Sequence, residues 1–317
     1  MLTFDKADAS LLSMTYKTIC LALLLAAASA DAQAPDARAR VLVQPGWLAE
    51  HLPDPDLVVL HIGPRAEYDA GHIRSARYLD YQQLAVTDRS AGGLTLQMPP
   101  ADELRRRLAA AGISTHSRIV VYFGRENPYV SPTARVLFTL DYAGLGDRAS
   151  VLDGGLGAWV QAGHPLSTES PPDRPGTLEP LTVRPLIVDA EFVKANLATR
   201  GIAIVDGRNA AFYSGAQTGG GPGAPHKTGH IAGARSVPFS DTLDAASRLR
   251  PAAELQKLFG VGGVKLGDTV VAYCHIGQQA TQVILAARTL GLKVLLYDGS
   301  FEDWSRKDYP VERSPRP

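Results

Sequence analysis

The sequence predicts an α/β fold made of two similar domains in tandem, each with a central, mostly parallel sheet flanked by helices. Two features of the chain lead to this prediction. Segments of the first half recur, in the same order, in the second half. Within each half, short β-branched runs alternate with segments whose apolar residues recur at helical spacing, a pattern typical of parallel sheets covered by helices.

The internal repeat consists of four pairs of segments. In chain order, residues 57–81 match 201–241, 99–113 match 250–264, 118–127 match 269–278, and 150–166 match 295–311. In the last pair the spacing from aspartate to tryptophan is identical, from Asp153 to Trp159 and from Asp298 to Trp304. Two copies of roughly 130 residues form two domains rather than a solenoid, which needs more and shorter units.

Each copy contains the same elements in the same order. A strand, VVLHI or IAIVD, comes first, and a helix with a glycine stop, DELRRRLAAAG or AAELQKLFG, follows it. IVVYF and VVAYC then predict a buried second strand, and ASVLD and VLLYD a third. Residues 167–180 are rich in proline, serine and charge. We therefore expect a first domain over residues 35–168, a linker over 169–182 and a second domain over 183–317.

Residues 1–34 have the features of a secretory signal. An apolar run at 19–28 follows Met14 and a lysine, and the stretches ADA (30–32) and AQA (32–34) fit the small-x-small cleavage pattern. The run is too short to span a bilayer, which takes roughly 20 apolar residues. We expect a start at Met14, export across the inner membrane to the periplasm, and a mature chain without a membrane span.

The charge balance argues against one class of partner. The 32 basic and 32 acidic residues cancel, and the sequence pI is about 7.1. Proteins that bind nucleic acid normally present a basic surface. We therefore expect a small-molecule partner and no nucleic acid.

Removal of the signal would leave Cys274 as the only thiol. The sequence has no CxxC motif, which argues against a thiol–disulfide oxidoreductase. Cys274 ends a buried strand and opens the short loop HIGQQ, which leads into a helical segment. Such a loop directs backbone N–H groups and the positive end of a helix dipole inward. We therefore expect a reactive cysteine, with a thiol pKa lowered by roughly two units.

The first copy serves as an internal control. Phe123 stands at the position of Cys274. Alignment of Phe212 with Tyr68 places Asp206 and Arg208 opposite Ile62 and Pro64. The copy that lacks the cysteine thus also lacks the aspartate and the arginine, and we expect the first domain to be non-catalytic.

These motifs resemble the tandem rhodanese-type sulfurtransferases over essentially the whole mature chain. The resemblance rests on four motifs that occur in order: GHIRSAR at Gly71 and GHIAGAR at Gly229, Asp-x-Arg at Asp206 and Arg208, the Cys-led loop 274–279, and DG(x)4W at Asp153 and Asp298. It implies that the Cys274 thiolate takes the outer sulfur of thiosulfate, releases sulfite, and passes the sulfur from a persulfide to cyanide or a thiol. It implies no cofactor and no metal.

The resemblance also implies roles for the site residues. Arg208 would bind the anionic donor, because a guanidinium offers paired donors to a dianion. The loop residues His275, Gly277, Gln278 and Gln279 would line the substrate site. Asp206 would support the loop structurally.

The loop departs from the family in its sequence. Members that prefer thiosulfate usually carry a cation after the cysteine, and members that prefer 3-mercaptopyruvate carry small residues such as Gly-Ser-Gly. Here His275, Ile276 and two glutamines follow. We expect thiosulfate as donor, with 3-mercaptopyruvate or a non-turnover periplasmic persulfide carrier as alternatives. A Cys-x5-Arg phosphatase loop is absent, because Ala280 stands six residues after Cys274.

Histidines outside the loop are expected to be structural. His226 and His230 have a metal-binding spacing on a helix, but the glycines around them predict a loop instead. His72 and His230 occupy matching positions in the two copies. The glycine-rich insertion over residues 215–229 is unique to the cysteine-bearing copy, and we expect it to close over the site.

Overall fold

The computed structural model describes residues 37–125, 130–221 and 224–314, and the residues from Ala37 onward form one compact unit. The expected signal, residues 1–34, lies outside the described residues. Within the described ranges, no helix combines the length and the apolar character needed to cross a membrane.

The first half contains five strands and six helices among the described residues. The strands are β1 (Leu42–Val43), β2 (Leu57–Ile62), β3 (Arg77–Tyr78), β4 (Arg118–Phe123) and β5 (Ala149–Leu152). The helices are α1 (Ala37–Val41), α2 (Pro45–His51), α3 (Arg65–Ala70), α4 (Ala101–Ala110), α5 (Val130–Tyr142) and α6 (Gly155–Gln161). All five strands pair in parallel, in the order β1-β5-β4-β2-β3.

The second half repeats this arrangement. Its strands are β6 (Ile187–Val188), β7 (Ile202–Asp206), β8 (Gly220–Gly221), β9 (Ala224–Pro225), β10 (His230–Ile231), β11 (Arg235–Ser236), β12 (Thr269–Tyr273), β13 (Lys293–Tyr297) and β14 (Val311–Glu312). Its helices are α7 (Ala190–Ala195), α8 (Ala210–Ser214), α9 (Ala252–Val261), α10 (Gln279–Thr289) and α11 (Ser300–Arg306). The main sheet, β11-β7-β12-β13-β6, is parallel and matches the first sheet strand for strand. The predicted α/β fold with two tandem sheets is confirmed.

One hydrophobic core joins the two halves. It contains Leu137 of α5 and Ile284 of α10 together with residues of both main sheets. The two helices pack against each other and are buried on nearly every side. Two smaller clusters cover the outer faces of the sheets.

The strand pairing corrects the alignment of the two copies by one residue. Asp206 pairs with Tyr273, and His61 pairs with Tyr122, so His61 is the counterpart of Asp206. Thus His61, and not Ile62, corresponds to Asp206. By the same shift Gly63, and not Pro64, corresponds to Arg208.

Two tyrosines fix this register. Tyr213 stacks on His230 at 3.7 Å and donates to the carbonyl of Ala234, just as Tyr68 stacks on His72 at 3.9 Å and donates to Ala76. Tyr68 therefore corresponds to Tyr213 and not to Phe212. The adjacent aromatic residues 212 and 213 made the two registers equivalent in sequence, and only the hydroxyl contact distinguishes them.

A buried ion pair connects the halves at the polar edge of their interface. Nη1 of Arg135, on α5, lies 2.6 Å from Oδ1 of Asp298, and both side chains are less than a tenth exposed. Arg135 also donates to the carbonyls of Gly277 and Leu96, and the backbone N–H of Met98 donates to Asp298. Each group of the pair thus has several partners, as buried charges require.

We predict that Arg135→Met destabilises the protein by about 3–5 kcal/mol, because it leaves the Asp298 carboxylate buried and unpaired. Thermal unfolding followed by circular dichroism measures the effect. The control is Arg65→Met, which breaks an exposed pair with Asp69 and should leave the free energy of unfolding nearly unchanged. Equal effects of the two substitutions would contradict the role of the buried pair.

Candidate active site

Cys274 follows β12 at the carboxyl end of the sheet, where ligands bind in parallel α/β structures. Its side chain is fully buried, and it is a free thiol. The loop 274–279 turns into α10, and four backbone N–H groups are directed at the sulfur. They belong to Ile276, Gly277, Gln279 and Ala280. This ring of donors can hold a negative charge on the sulfur or on an atom bound to it.

The ionisation of Cys274 differs from the sequence prediction. Burial raises the pKa of the thiol above its ordinary value, and this effect outweighs the four N–H groups, which lower it. The predicted lowering was therefore wrong in direction. A loop that opens a helix can be recognised in sequence, but the complete enclosure of the sulfur depends on distant segments.

Gly277 is needed for the shape of the loop. Its φ is +80°, and a Cβ at this position would lie 2.8 Å from the carbonyl oxygen and 3.0 Å from Oδ1 of Asp298. Both the left-handed backbone and the lack of space favour glycine. Asp298 and Arg135 therefore form the surface against which the loop is built.

The start of α11 fixes the other side of the loop. Oγ of Ser300 accepts a hydrogen bond from the N–H of Cys274 at 3.2 Å and donates to the carbonyl of Tyr297. The N–H groups of Phe301 and Glu302 donate to the carbonyls of Cys274 and His275, each at 3.0 Å. Ser300 has a φ of +52°, so the backbone is strained where it supports the cysteine.

Asp206 and Arg208 form a second buried ion pair beneath the loop. The Arg208 guanidinium donates through Nε and Nη2 to both carboxylate oxygens, and Nη2 also donates to Gly229. Asp206 also accepts from the hydroxyl of Tyr273 at 2.8 Å. Asp206 thus positions the arginine and the end of β12.

The Arg208 guanidinium lies near enough to Cys274 for the two charges to interact. Burial lowers its pKa, but the charge of Asp206 and a smaller contribution from Cys274 raise it overall, so the group stays charged. The guanidinium carbon lies 4.0 Å from the centre of the Phe301 ring. None of its hydrogen bonds with the described residues uses Nη1.

His275 packs against Phe212 and against Gly219 of the insertion. Its ring meets the Phe212 ring edge-on at 4.6 Å, and a Cβ on Gly219 would lie 2.6 Å from it. β8 and β9 pair antiparallel within the insertion. Burial lowers the pKa of His275 to about 4, with smaller contributions from Arg208 and His226. The described part of the insertion therefore covers a neutral imidazole beside the cysteine.

The two loop glutamines have different surroundings. Oε1 of Gln278 accepts a hydrogen bond at 3.2 Å from the hydroxyl of Tyr81, which belongs to the first half. Oε1 of Gln279 is buried and has no hydrogen-bond partner among the described residues. The hydrogen bond of Gln278 links the loop to the first half. Substrate binding by Gln278 and Gln279 remains a prediction.

Several residues of the site were not identified from sequence: His226, Phe212, Phe301, Ser300, Tyr81, Arg135 and Asp298. His226 lies 5.6 Å from His275, ring centre to ring centre. His230 bonds instead to the carbonyl of Tyr213 at 2.7 Å, so the two histidines have separate environments. Among the described residues, no cluster of three His, Cys, Asp or Glu side chains could hold a metal ion.

The corresponding position in the first half carries different side chains. Phe123 follows Tyr122 as Cys274 follows Tyr273. The Glu67 carboxylate accepts from the N–H of Arg125, so an internal anion occupies the start of this loop. Both ring nitrogens of His61 are buried without a partner among the described residues. The described part of this half contains no thiol.

The chain was compared with known proteins. A family model described as Rhodanese-like domain matches residues 44–162 and 189–307. The chain is 29% identical over 290 residues to a thiosulfate sulfurtransferase of Rattus norvegicus, covering 86% of this chain and 95% of the rat protein. It is 31% identical over 270 residues to a probable 3-mercaptopyruvate sulfurtransferase of Pseudomonas aeruginosa, covering 81% of this chain and 92% of that protein.

Solved structures show the same similarity. The crystal structure of the 3-mercaptopyruvate sulfotransferase SseA from Escherichia coli superposes with a TM-score of 0.70 at 25% identity, covering 82% of this chain and 98% of that one.

We predict that the Cys274 thiol titrates above its ordinary value, because burial disfavours the thiolate. The thiolate absorbance in the ultraviolet, measured as the difference between the parent and Cys274→Ser, should appear only on the alkaline side of that value. The rate of sulfur uptake should rise with pH over the same range. A midpoint below the ordinary thiol value of about 8.5 would contradict the dominance of burial.

We predict that Gly277→Ala lowers kcat/KM by at least about tenfold, because a left-handed alanine costs roughly 1–2 kcal/mol before the contact with Asp298 is counted. Gly46→Ala is the matched control, since a Cβ at Gly46 meets nothing within 4 Å. Steady-state kinetics of both variants provide the test. Unchanged kinetics in Gly277→Ala would show that the loop tolerates another backbone conformation.

Proposed function

The chain belongs to the rhodanese family, as the sequence motifs indicated, and from that premise we propose that it transfers sulfane sulfur from thiosulfate to cyanide or a thiol through a persulfide on Cys274. The observation that carries the proposal is the placement of the Cys274 sulfur. It lies inside a ring of four backbone N–H groups, and the Arg208 guanidinium is near enough for its charge to interact with that of the thiolate.

The proposed reaction has two covalent steps. The Cys274 thiolate forms a bond to the outer sulfur of thiosulfate while the sulfur–sulfur bond of thiosulfate breaks, and its electron pair leaves with sulfite. Cyanide or a thiolate then attacks the outer sulfur of the persulfide and regenerates the Cys274 thiolate. The loop N–H groups stabilise the persulfide anion as an oxyanion hole stabilises oxygen.

The composition of the pocket supports thiosulfate as the donor. Asp206 already balances the charge of Arg208, and His275 is neutral, so the site offers one paired guanidinium and backbone donors. A compact oxyanion can use these groups together beside the sulfur. The donor 3-mercaptopyruvate is the alternative, since relatives of the chain carry both names.

A persulfide carrier without turnover is a second alternative that would use the same cysteine. The full burial of Cys274 favours exchange with small molecules over exchange with the thiol of a protein partner. We therefore prefer an enzyme with small donors and acceptors.

The division of labour between the halves is part of the proposal. We propose that residues 183–317 carry the catalytic site and that residues 35–168 act as a non-catalytic support joined by the linker 169–182. Arg135 and Tyr81 of the first half, which bond to the loop, support this role. We likewise propose export to the periplasm, on the basis of the signal predicted at residues 1–34.

We predict turnover of thiosulfate and cyanide to sulfite and thiocyanate with parallel double-reciprocal plots, as a covalent two-step reaction requires. Cys274→Ser should abolish turnover. Arg208→Lys should lower kcat/KM for thiosulfate by about 100-fold, because lysine loses the paired geometry.

Arg65→Lys, an exposed substitution in the first half, is the control and should leave the kinetics unchanged. Release of one sulfite per chain without further turnover would favour the carrier. Turnover by Cys274→Ser would contradict the proposed intermediate.

A further inference from the structure

A cavity of about 350 Å³ lies at the carboxyl edge of the first sheet. It is formed by the end of β3, the start of α3, the end of α4 and part of the linker 169–182. Two arginines, Arg65 and Arg77, and two tyrosines, Tyr68 and Tyr78, line it, and it shares no lining residue with the loop 274–279. Ligands of parallel α/β structures bind at this edge of the sheet, and the cavity has the size of a small-molecule site.

Arg77 carries a positive charge that nothing in the described structure balances. The residue is partly buried, and its guanidinium forms no hydrogen bond or ion pair with the described residues. It packs against Gly112, where a Cβ would lie 2.8 Å from the guanidinium carbon. Arg65, in contrast, is paired with the half-exposed Asp69. Asp173 also lines the cavity, but among the described residues it pairs with neither arginine. Arginines removed from water ordinarily have a partner of opposite charge.

The second half shows which partner Arg77 lacks. Arg77 and Arg235 occupy the same position in the two sheets. Nη1 of Arg235 lies 3.0 Å from Oδ2 of Asp268, but Ser117 stands at the position of Asp268 in the first half. The serine and the aspartate each accept a hydrogen bond from the backbone N–H three residues earlier, at 2.9 and 3.0 Å. The first half thus keeps the turn and lacks the carboxylate.

Two further differences between the halves shape the cavity. Arg65 and Tyr78 stand where the second half has Ala210 and Ser236. The guanidinium carbon of Arg65 lies 5.5 Å from the centre of the Tyr68 ring and 5.2 Å from that of the Tyr78 ring. Contact with the two rings holds this second cation at the cavity wall. The aromatic and cationic lining is therefore particular to the half without the cysteine.

We propose that this cavity is a binding site for a small organic carboxylate, with the carboxylate on Arg77 and the apolar body against the tyrosine rings. A guanidinium binds a carboxylate through two parallel N–H donors, so the ligand supplies the charge that Asp268 supplies to Arg235. The first half then binds a ligand without reacting with it, since its described part contains no thiol. The inference does not depend on the donor or on the persulfide proposed for Cys274.

Titration of the whole chain with benzoate, followed by ligand-detected NMR, tests the site. Benzoate carries its carboxylate on an aromatic ring, and the parent should bind it saturably. Ser117→Asp introduces the carboxylate that the first half lacks. By pairing with Arg77 it should weaken benzoate binding by at least about tenfold. Ser117 does not line the cavity, so this substitution leaves the walls unchanged.

Arg77→Gln removes the charge itself and should weaken benzoate binding to the same extent. It breaks no ion pair, so the midpoint of thermal unfolding should stay close to that of the parent, whereas Arg235→Gln should lower it by leaving Asp268 unpaired. Arg74→Gln, at an exposed arginine of the same half, is the matched control and should bind benzoate as the parent does. A parent that binds no benzoate, or binding that persists in Ser117→Asp and Arg77→Gln, would overturn the site.

Discussion

The buried ion pair between Arg135 and Asp298 is the interaction on which the site depends. One guanidinium of the first half holds the Asp298 carboxylate, the carbonyl of Gly277 and the carbonyl of Leu96. Gly277 can approach Asp298 only because it lacks a side chain. The loop around Cys274 is thus shaped by a residue of the half that has no cysteine. The two halves are held together by the hydrophobic core that they share, since separating them would expose its apolar side chains to water.

The groups around Cys274 carry no net charge in the absence of a ligand. The sulfur is enclosed and favours its neutral form, although four N–H groups point at it. The Asp206–Arg208 pair cancels its own charge, and the imidazole of His275 is neutral. Backbone dipoles are fixed before the reaction, so they stabilise a developing anion without rearrangement. Such a site favours a small anion over a neutral or bulky molecule.

Much of the fold follows from sequence pattern. Strands of the IVVYF type alternate with helices twice over, and the structure has two matching parallel sheets. The alignment of Asp206 was off by one, because two adjacent aromatic residues allow either register until the Tyr213 hydroxyl selects one. Arg135 and His226 could not be assigned to the site. Each reaches it through contacts between segments far apart in the chain, which no local pattern records.

Covalent storage of sulfur on Cys274 is the step that joins the loop, the ion pairs and the proposed reaction. Intact-mass analysis of the protein after thiosulfate treatment tests it most directly. The parent should gain about 32 Da, the mass of one sulfur atom, and lose it again on addition of cyanide, as a covalent intermediate requires. The Cys274→Ser chain should gain nothing. A parent chain whose mass does not change, or a gain that survives the Cys274→Ser substitution, would contradict a persulfide at this cysteine.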